Sequence, residues 1–129
     1  MPVIALAGAA PAARASVALA VVVTDMRSTH DPSTNRFTYS ATISLASGDW
    51  TGMELEIDHE YYRSTHPAPR PYFYHPTTFR PTGKSFVSSG SFTITEAADL
   101  YTVGVYSAVY PDPSRTLLAH PDRIPVITV

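Results

Sequence analysis

Apolar and polar residues alternate along residues 36–46 with the period of a β-strand. An aromatic or aliphatic side chain occupies every second position, namely Phe37, Tyr39, Ala41, Ile43 and Leu45. Serine and threonine fill the positions between them. Because successive side chains of a strand point to opposite faces, the pattern predicts a half-buried strand.

A stricter alternation follows in residues 53–62. The apolar face carries Met53, Leu55, Ile57, His59 and Tyr61, and the other face carries Glu54, Glu56, Asp58 and Glu60. A strand spaces such carboxylates about 7 Å apart. We expect them on a solvated outer surface. A flat exposed strand offers no dry pocket to shift their pKa values, so catalysis by paired carboxylates is not expected.

Further strands are predicted by β-branched and aromatic runs that begin at Ser16 and recur in residues 86–95, 99–110, 116–118 and 124–129. The first run is expected to end at the turn-rich residues 28–33, and five prolines in residues 63–84 are expected to interrupt pairing. No segment has helical periodicity. About seven strands without helical crossovers predict an all-β fold, an immunoglobulin-like antiparallel β-sandwich.

The chain length of 129 residues indicates one domain. We divide the sequence into an apolar N-terminal arm or signal remnant, residues 1–15, and a sandwich domain, residues 16–129. Ala13-Arg14-Ala15 has the A-x-A pattern of a secretory cleavage site, whereas no positive residue precedes the apolar run and Pro11 breaks it. A signal remnant and an ordinary first strand or arm are both open interpretations.

Charge and cysteine content exclude several classes of function. Nine basic and eleven acidic residues are scattered singly, and without a basic block nucleic acid is not an expected partner. The absence of cysteine excludes disulfides and Cys-type zinc sites. No segment predicts a membrane span, which takes ~20 apolar residues. No nucleophile elbow or phosphate loop is present, so no cofactor is expected.

The stretch Asp99-Leu100-Tyr101-Thr102-Val103 predicts a tyrosine corner, in which the Tyr101 hydroxyl bonds an upstream backbone group. Together with Gly104-Val105-Tyr106, Met53 to Asp58 and Val126 to Val129, it resembles the immunoglobulin-like accessory modules that lie beside catalytic domains in secreted glycoside hydrolases. The resemblance covers residues 17–129. It implies a secreted, non-catalytic module with carbohydrate as the favoured ligand. Ala119-His120-Pro121-Asp122 stands where the family carries a Trp-Asn turn.

Aromatic, histidine and arginine side chains concentrate in residues 59–75. The candidate ligand-binding residues are Tyr62, Arg70, Tyr72, Phe73, Tyr74 and His75. Aromatic faces stack on sugar rings, and tyrosine gives contact area at low entropic cost. The alternative is a Pro-rich loop that is covered by its own aromatic residues. His59, His66 and His75 match no compact metal motif, so a metal site is not expected.

Two functions stay open. The first is a non-catalytic binding module of an extracellular or cell-surface protein, with a glycan as ligand. The second is a structural subunit that forms a homo-oligomer, its arm (residues 3–10) adding a strand to a neighbour's sheet edge. An enzyme would require a pocket that gathers His59 with Asp58 or Glu60. Trp50 is expected in the core.

Overall fold

The computed structural model describes residues 17–65, 71, 73–94 and 97–129. Within these residues the strands are β1 (Ala20–Asp31), β2 (Arg36–Ser47), β3 (Leu55–Tyr62), β4 (Phe73–Phe79), β5 (Ser85–Thr93), β6 (Leu100–Tyr106), β7 (Leu117–Ala119), β8 (Ile124–Pro125) and β9 (Ile127–Thr128). The described residues contain no helix, and therefore none that could cross a membrane. The all-β prediction is confirmed.

The strands form two sheets, which pack face to face as a sandwich. The first sheet has the order β5-β2-β1-β9, and the second has the order β4-β3-β6-β7 with β8 also paired to β6. The chain changes sheet after β2, after β4, after β5 and after β8, and the first three changes are as in immunoglobulin-like sandwiches. Pairing is antiparallel except between β1 and β9, where Thr29 lies beside Ile127 in a parallel pair.

The core lies between the inner faces of the two sheets. Its most buried apolar members are Phe37, Ala41, Ile43, Leu55, Ile57, Tyr61, Tyr101, Val103 and Val105. Trp50 is also in the core, as expected, and its indole Nε1–H donates to the Gly83 carbonyl oxygen at 2.6 Å. The alternating residues of β2 and β3 therefore bury the face that the sequence predicts.

Two strand boundaries differ from the prediction. β1 continues through residues 28–31, because the Ser28 hydroxyl is buried between the Thr38 carbonyl and the Tyr61 hydroxyl instead of lying in a turn. β4 forms inside the proline-rich stretch that was expected to be irregular. It is an edge strand, where a residue without an N–H such as Pro76 is tolerated.

The tyrosine corner prediction is wrong. Tyr101 is fully buried on the inner face of β6, and its hydroxyl lies 2.7 Å from Nδ1 of His59. The register explains this contact, because Tyr101 pairs with Tyr61 and His59 is the next inward-facing residue of β3. The hydroxyl thus satisfies a core histidine instead of an upstream backbone group.

The predicted arm, residues 1–15, lies outside the described residues. Its two interpretations, and the strand addition that depends on one of them, stay predictions.

Candidate functional site

Three carboxyl side chains lie in a row on the outer face of the second sheet. Glu56, Asp58 and Glu60 of β3 are 5%, 6% and 6% exposed. The expectation of a solvated acidic face is therefore wrong for these three residues, whereas the side chain of Glu54, the fourth residue of that face, is 41% exposed. The reason is that the loop between β6 and β7, residues 107–116, contacts Glu56 through Tyr110 and Arg115, and that His120 and Tyr62 contact Glu60.

Glu56 is held by this loop. Its Oε2 accepts a hydrogen bond from Arg115 Nη1 at 2.8 Å, and its Oε1 accepts one from the Tyr110 backbone N–H at 2.8 Å. Burial by itself raises the pKa of Glu56, but the hydrogen bonds from Asp58, Tyr110 and Arg115 outweigh burial and lower it. Glu56 is thus a fixed, ionised carboxylate.

Glu60 is held at the other end of the row. Its Oε1 lies 2.8 Å from His120 Nε2 and accepts a hydrogen bond from the Tyr62 hydroxyl at 2.6 Å. The Arg123 guanidinium covers the Tyr62 ring at 3.5 Å from its centre. Gly104 makes room here, since a Cβ at that position would lie 3.2 Å from Glu60 Oε2.

Asp58 lies between the two glutamates and differs from both. Burial, together with the hydrogen bond and negative charge of Glu56, raises its pKa to about 8. Its Oδ1 is buried and has no hydrogen-bond partner. Asp58 is therefore a protonated acid at neutral pH with an unsatisfied oxygen.

These carboxyl groups line a cleft of about 510 Å³, which we call the acidic cleft. Its other lining residues are Pro71, Tyr74, Pro76, Thr78, Tyr106, Val109, Tyr110 and Arg115. The Tyr74 and Tyr110 side chains are 53% and 72% exposed, and Arg115 lies over the Tyr106 ring at 3.9 Å from its centre. The cleft thus combines exposed aromatic rings with fixed carboxyl groups.

The predicted ligand-binding residues do not share one face. Tyr74 projects outward and lines the acidic cleft, and Tyr62 is buried beside it with its hydroxyl on Glu60. Phe73 and His75 alternate with Tyr74 on β4 and pack inward against Phe92. Arg70 and Tyr72 lie outside the described residues.

His59 lies on the opposite side of β3 from the acidic cleft. Both ring nitrogens are engaged, Nδ1 by the Tyr101 hydroxyl and Nε2 by the Ser88 hydroxyl at 2.8 Å. Burial and the nearby His75 lower its pKa to about 3. The pocket that would indicate an enzyme, His59 together with Asp58 or Glu60, is not formed.

No group of three His, Asp or Glu side chains in the described part of the chain is arranged to hold a metal ion. His66 lies outside the described residues.

Sequence reasoning did not assign to the site three residues that line the acidic cleft, Tyr106, Tyr110 and Arg115, or His120, which contacts Glu60. Arg115 is 59 positions from Glu56, and no local pattern connects them. One signal was available, namely the glycine at position 104 within a strand. Such a glycine often marks a close approach of neighbouring groups.

No family model matches the sequence, and no curated protein matches it. Among solved structures, the chain is similar to a β-glucosidase from Kluyveromyces marxianus, with 11% identity and a TM-score of 0.37. The match covers 88% of this chain and 15% of the β-glucosidase chain. A likeness this weak does not bear on function.

Proposed function

We propose that this protein is a non-catalytic glycan-binding module of an extracellular or cell-surface protein, with the acidic cleft as its binding site. The observation that carries the proposal is one cleft with exposed tyrosine rings beside a row of buried carboxyl groups. Sugar rings have apolar C–H faces and hydroxyl edges, so they suit sites that combine aromatic faces with fixed polar groups.

The aromatic part of the site consists of Tyr74 and Tyr110. Both rings line the cleft and keep more than half of their surface exposed. An exposed tyrosine ring can bury a large area on binding while losing little rotamer freedom. These two side chains therefore supply the stacking surface.

The polar part is already ordered. Arg115 and the Tyr110 N–H fix Glu56, and His120 and the Tyr62 hydroxyl fix Glu60. Groups held in place before the ligand arrives cost less ordering entropy on binding. The resemblance to glycoside hydrolase accessory modules points to the same ligand class. In this chain the turn that carries Trp-Asn in the family contributes His120 to the cleft instead.

The experiment is a glycan-array screen of the labelled full chain, followed by calorimetry on the glycans retained. We expect Tyr110→Ala to weaken binding about tenfold or more, because one stacking ring is lost, and Tyr110→Phe to retain it. Val87→Ser is the matched control, since Val87 is 59% exposed on the other sheet. An array without any retained glycan, or equal loss in Val87→Ser, would reject the proposal.

A further inference from the structure

We infer that the glycan bound in the acidic cleft carries a primary ammonium group that pairs with Asp58, so that the favoured ligand class is an amino sugar with a free amine. The inference rests on the proposed function and specifies its ligand. One buried polar atom of the cleft has no hydrogen-bond partner among the described residues.

That atom is Oδ1 of Asp58. The residue is 6% exposed and lines the cleft, yet this oxygen has no hydrogen-bond partner. Buried side-chain oxygens are nearly always hydrogen-bonded, because an unmet acceptor loses its water without replacement. A donor from outside the chain would complete the site.

The two neighbouring cationic or basic side chains already have partners. Arg115 is engaged with Glu56, and His120 is engaged with Glu60. The floor of the cleft thus holds three carboxyl groups and one guanidinium, with His120 at its edge. This imbalance favours a cation over an anion as the missing partner.

An ammonium group fits better than a hydroxyl or a metal ion. It is compact and has three donors, enough to bond Asp58 and still reach a neighbouring acceptor. A sugar hydroxyl supplies one donor and no charge. The three carboxyl groups are not arranged as metal ligands.

Binding must release a proton. In the free cleft Asp58 is protonated, and pairing with an ammonium ion requires the carboxylate, so the carboxyl proton passes to the buffer while no covalent bond changes. The charged and titratable groups that face Asp58 or line the same cleft are Glu56, Glu60, Tyr74, Tyr106, Tyr110 and Arg115, with His120 next to Glu60. Affinity should therefore rise with pH only while the ligand amine stays protonated, and it should fall above the pKa of that amine, which for an α-amino group is about 7.7–8.0.

The test compares a β-1,4-linked glucosamine tetramer with the same tetramer acetylated at every nitrogen, by calorimetry of the full chain in two buffers of different ionisation enthalpy. We expect the free-amine tetramer to bind at least about tenfold tighter and to release about one proton near pH 6, where both Asp58 and the ligand amine are protonated before binding. Asp58→Asn should abolish both the preference and the proton release. Val87→Ser, on the other sheet, is the control, and it should keep them.

Equal binding of the two tetramers would overturn the inference and leave the glycan-binding proposal intact. Binding of neither tetramer would also overturn it, and only a blank glycan array would in addition reject the proposed function. A lysine tetramer that binds as tightly as the free-amine sugar, or calcium that releases the same proton, would overturn the assignment to an amino sugar.

Discussion

His59 and Tyr101 share a hydrogen bond in the centre of the sandwich, with Nδ1 and the hydroxyl oxygen 2.7 Å apart and the two rings parallel within 4°. The pair joins β3 to β6 where both residues are completely buried. Removing the hydroxyl in Tyr101→Phe leaves a buried ring nitrogen without a partner. We expect a loss of about 1–3 kcal/mol in the free energy of unfolding, measured by urea denaturation.

The matched control for that variant is Tyr110→Phe, which removes a hydroxyl from a side chain that is 72% exposed. It should change stability by less than about 0.5 kcal/mol. Equal effects of the two substitutions would show that the His59–Tyr101 bond contributes nothing beyond a surface hydroxyl.

Two buried groups with shifted pKa values set the pH dependence of stability. Asp58 has its pKa raised from 3.8 to about 8, so the native state holds an extra proton between these values and stability falls as pH rises. His59 has its pKa lowered from 6.5 to about 3, so the unfolded state holds the extra proton and stability rises with pH. The two slopes offset each other between about pH 4 and 6.5.

We therefore expect a plateau over that range, a decline below it from His59 and from carboxylates with a lowered pKa such as Glu56 and Asp99, and a decline on the order of 1 kcal/mol from pH 6.5 to 8 from Asp58. Urea denaturation across this pH series measures the profile. Asp58→Asn should remove the alkaline decline and turn the plateau into a rise from about pH 4 to 6.5, because the His59 slope is then no longer offset. Wild-type stability that increases from pH 6.5 to 8 would contradict the assignment of a proton to Asp58.

Gly90 leaves space for a buried hydroxyl. A Cβ at this position would lie 2.6 Å from the Tyr39 hydroxyl oxygen, which is bonded to His75 Nδ1 at 2.8 Å. Gly90→Ala should displace the Tyr39 ring and cost about 1–3 kcal/mol of stability. Gly83→Ala is the control, because nothing lies within 4 Å of its added Cβ. Thermal unfolding of both variants decides between a steric effect and a general effect of losing glycine.

The Arg115–Glu56 pair anchors the loop that covers the acidic face. Their atoms Nη1 and Oε2 are 2.8 Å apart, and the Glu56 side chain is 7% exposed. Arg115→Gln leaves that carboxylate without its cation and should cost about 1–3 kcal/mol. The same substitution in a Glu56→Gln background should cost less by about 1 kcal/mol or more. Additive losses in this double-mutant cycle would mean that the two side chains do not stabilise each other.

The sequence predicts the fold better than the site, and Ile57 and Asp58 of β3 show why. Alternation assigns Ile57 and Asp58 to opposite faces of β3, and the structure confirms that assignment. Alternation cannot show whether an outward face meets water. Here the covering comes from Tyr110 and Arg115 in a loop more than fifty positions away, a contact that only tertiary folding creates.

β4 shows a different limit. Pro71 precedes this strand and Pro76 lies within it, and in the sequence both prolines indicate irregular structure. The segment can nevertheless pair with β3, because it lies at the edge of the sheet. Once it is paired, strict alternation separates Phe73 and His75 from Tyr74. Residues that are adjacent in the sequence therefore lie on opposite faces of β4.

The central claim is that ligand binds in the acidic cleft, and backbone amide shift mapping on the ¹⁵N-labelled full chain tests it most directly. The chain is titrated with the tightest glycan from the array. We predict that the shifts concentrate in β3, β6 and residues 107–116, with Tyr110 among the largest. Shifts confined to the serine- and threonine-rich outer face of β1, β2 and β5, or spread evenly over both sheets, would contradict it.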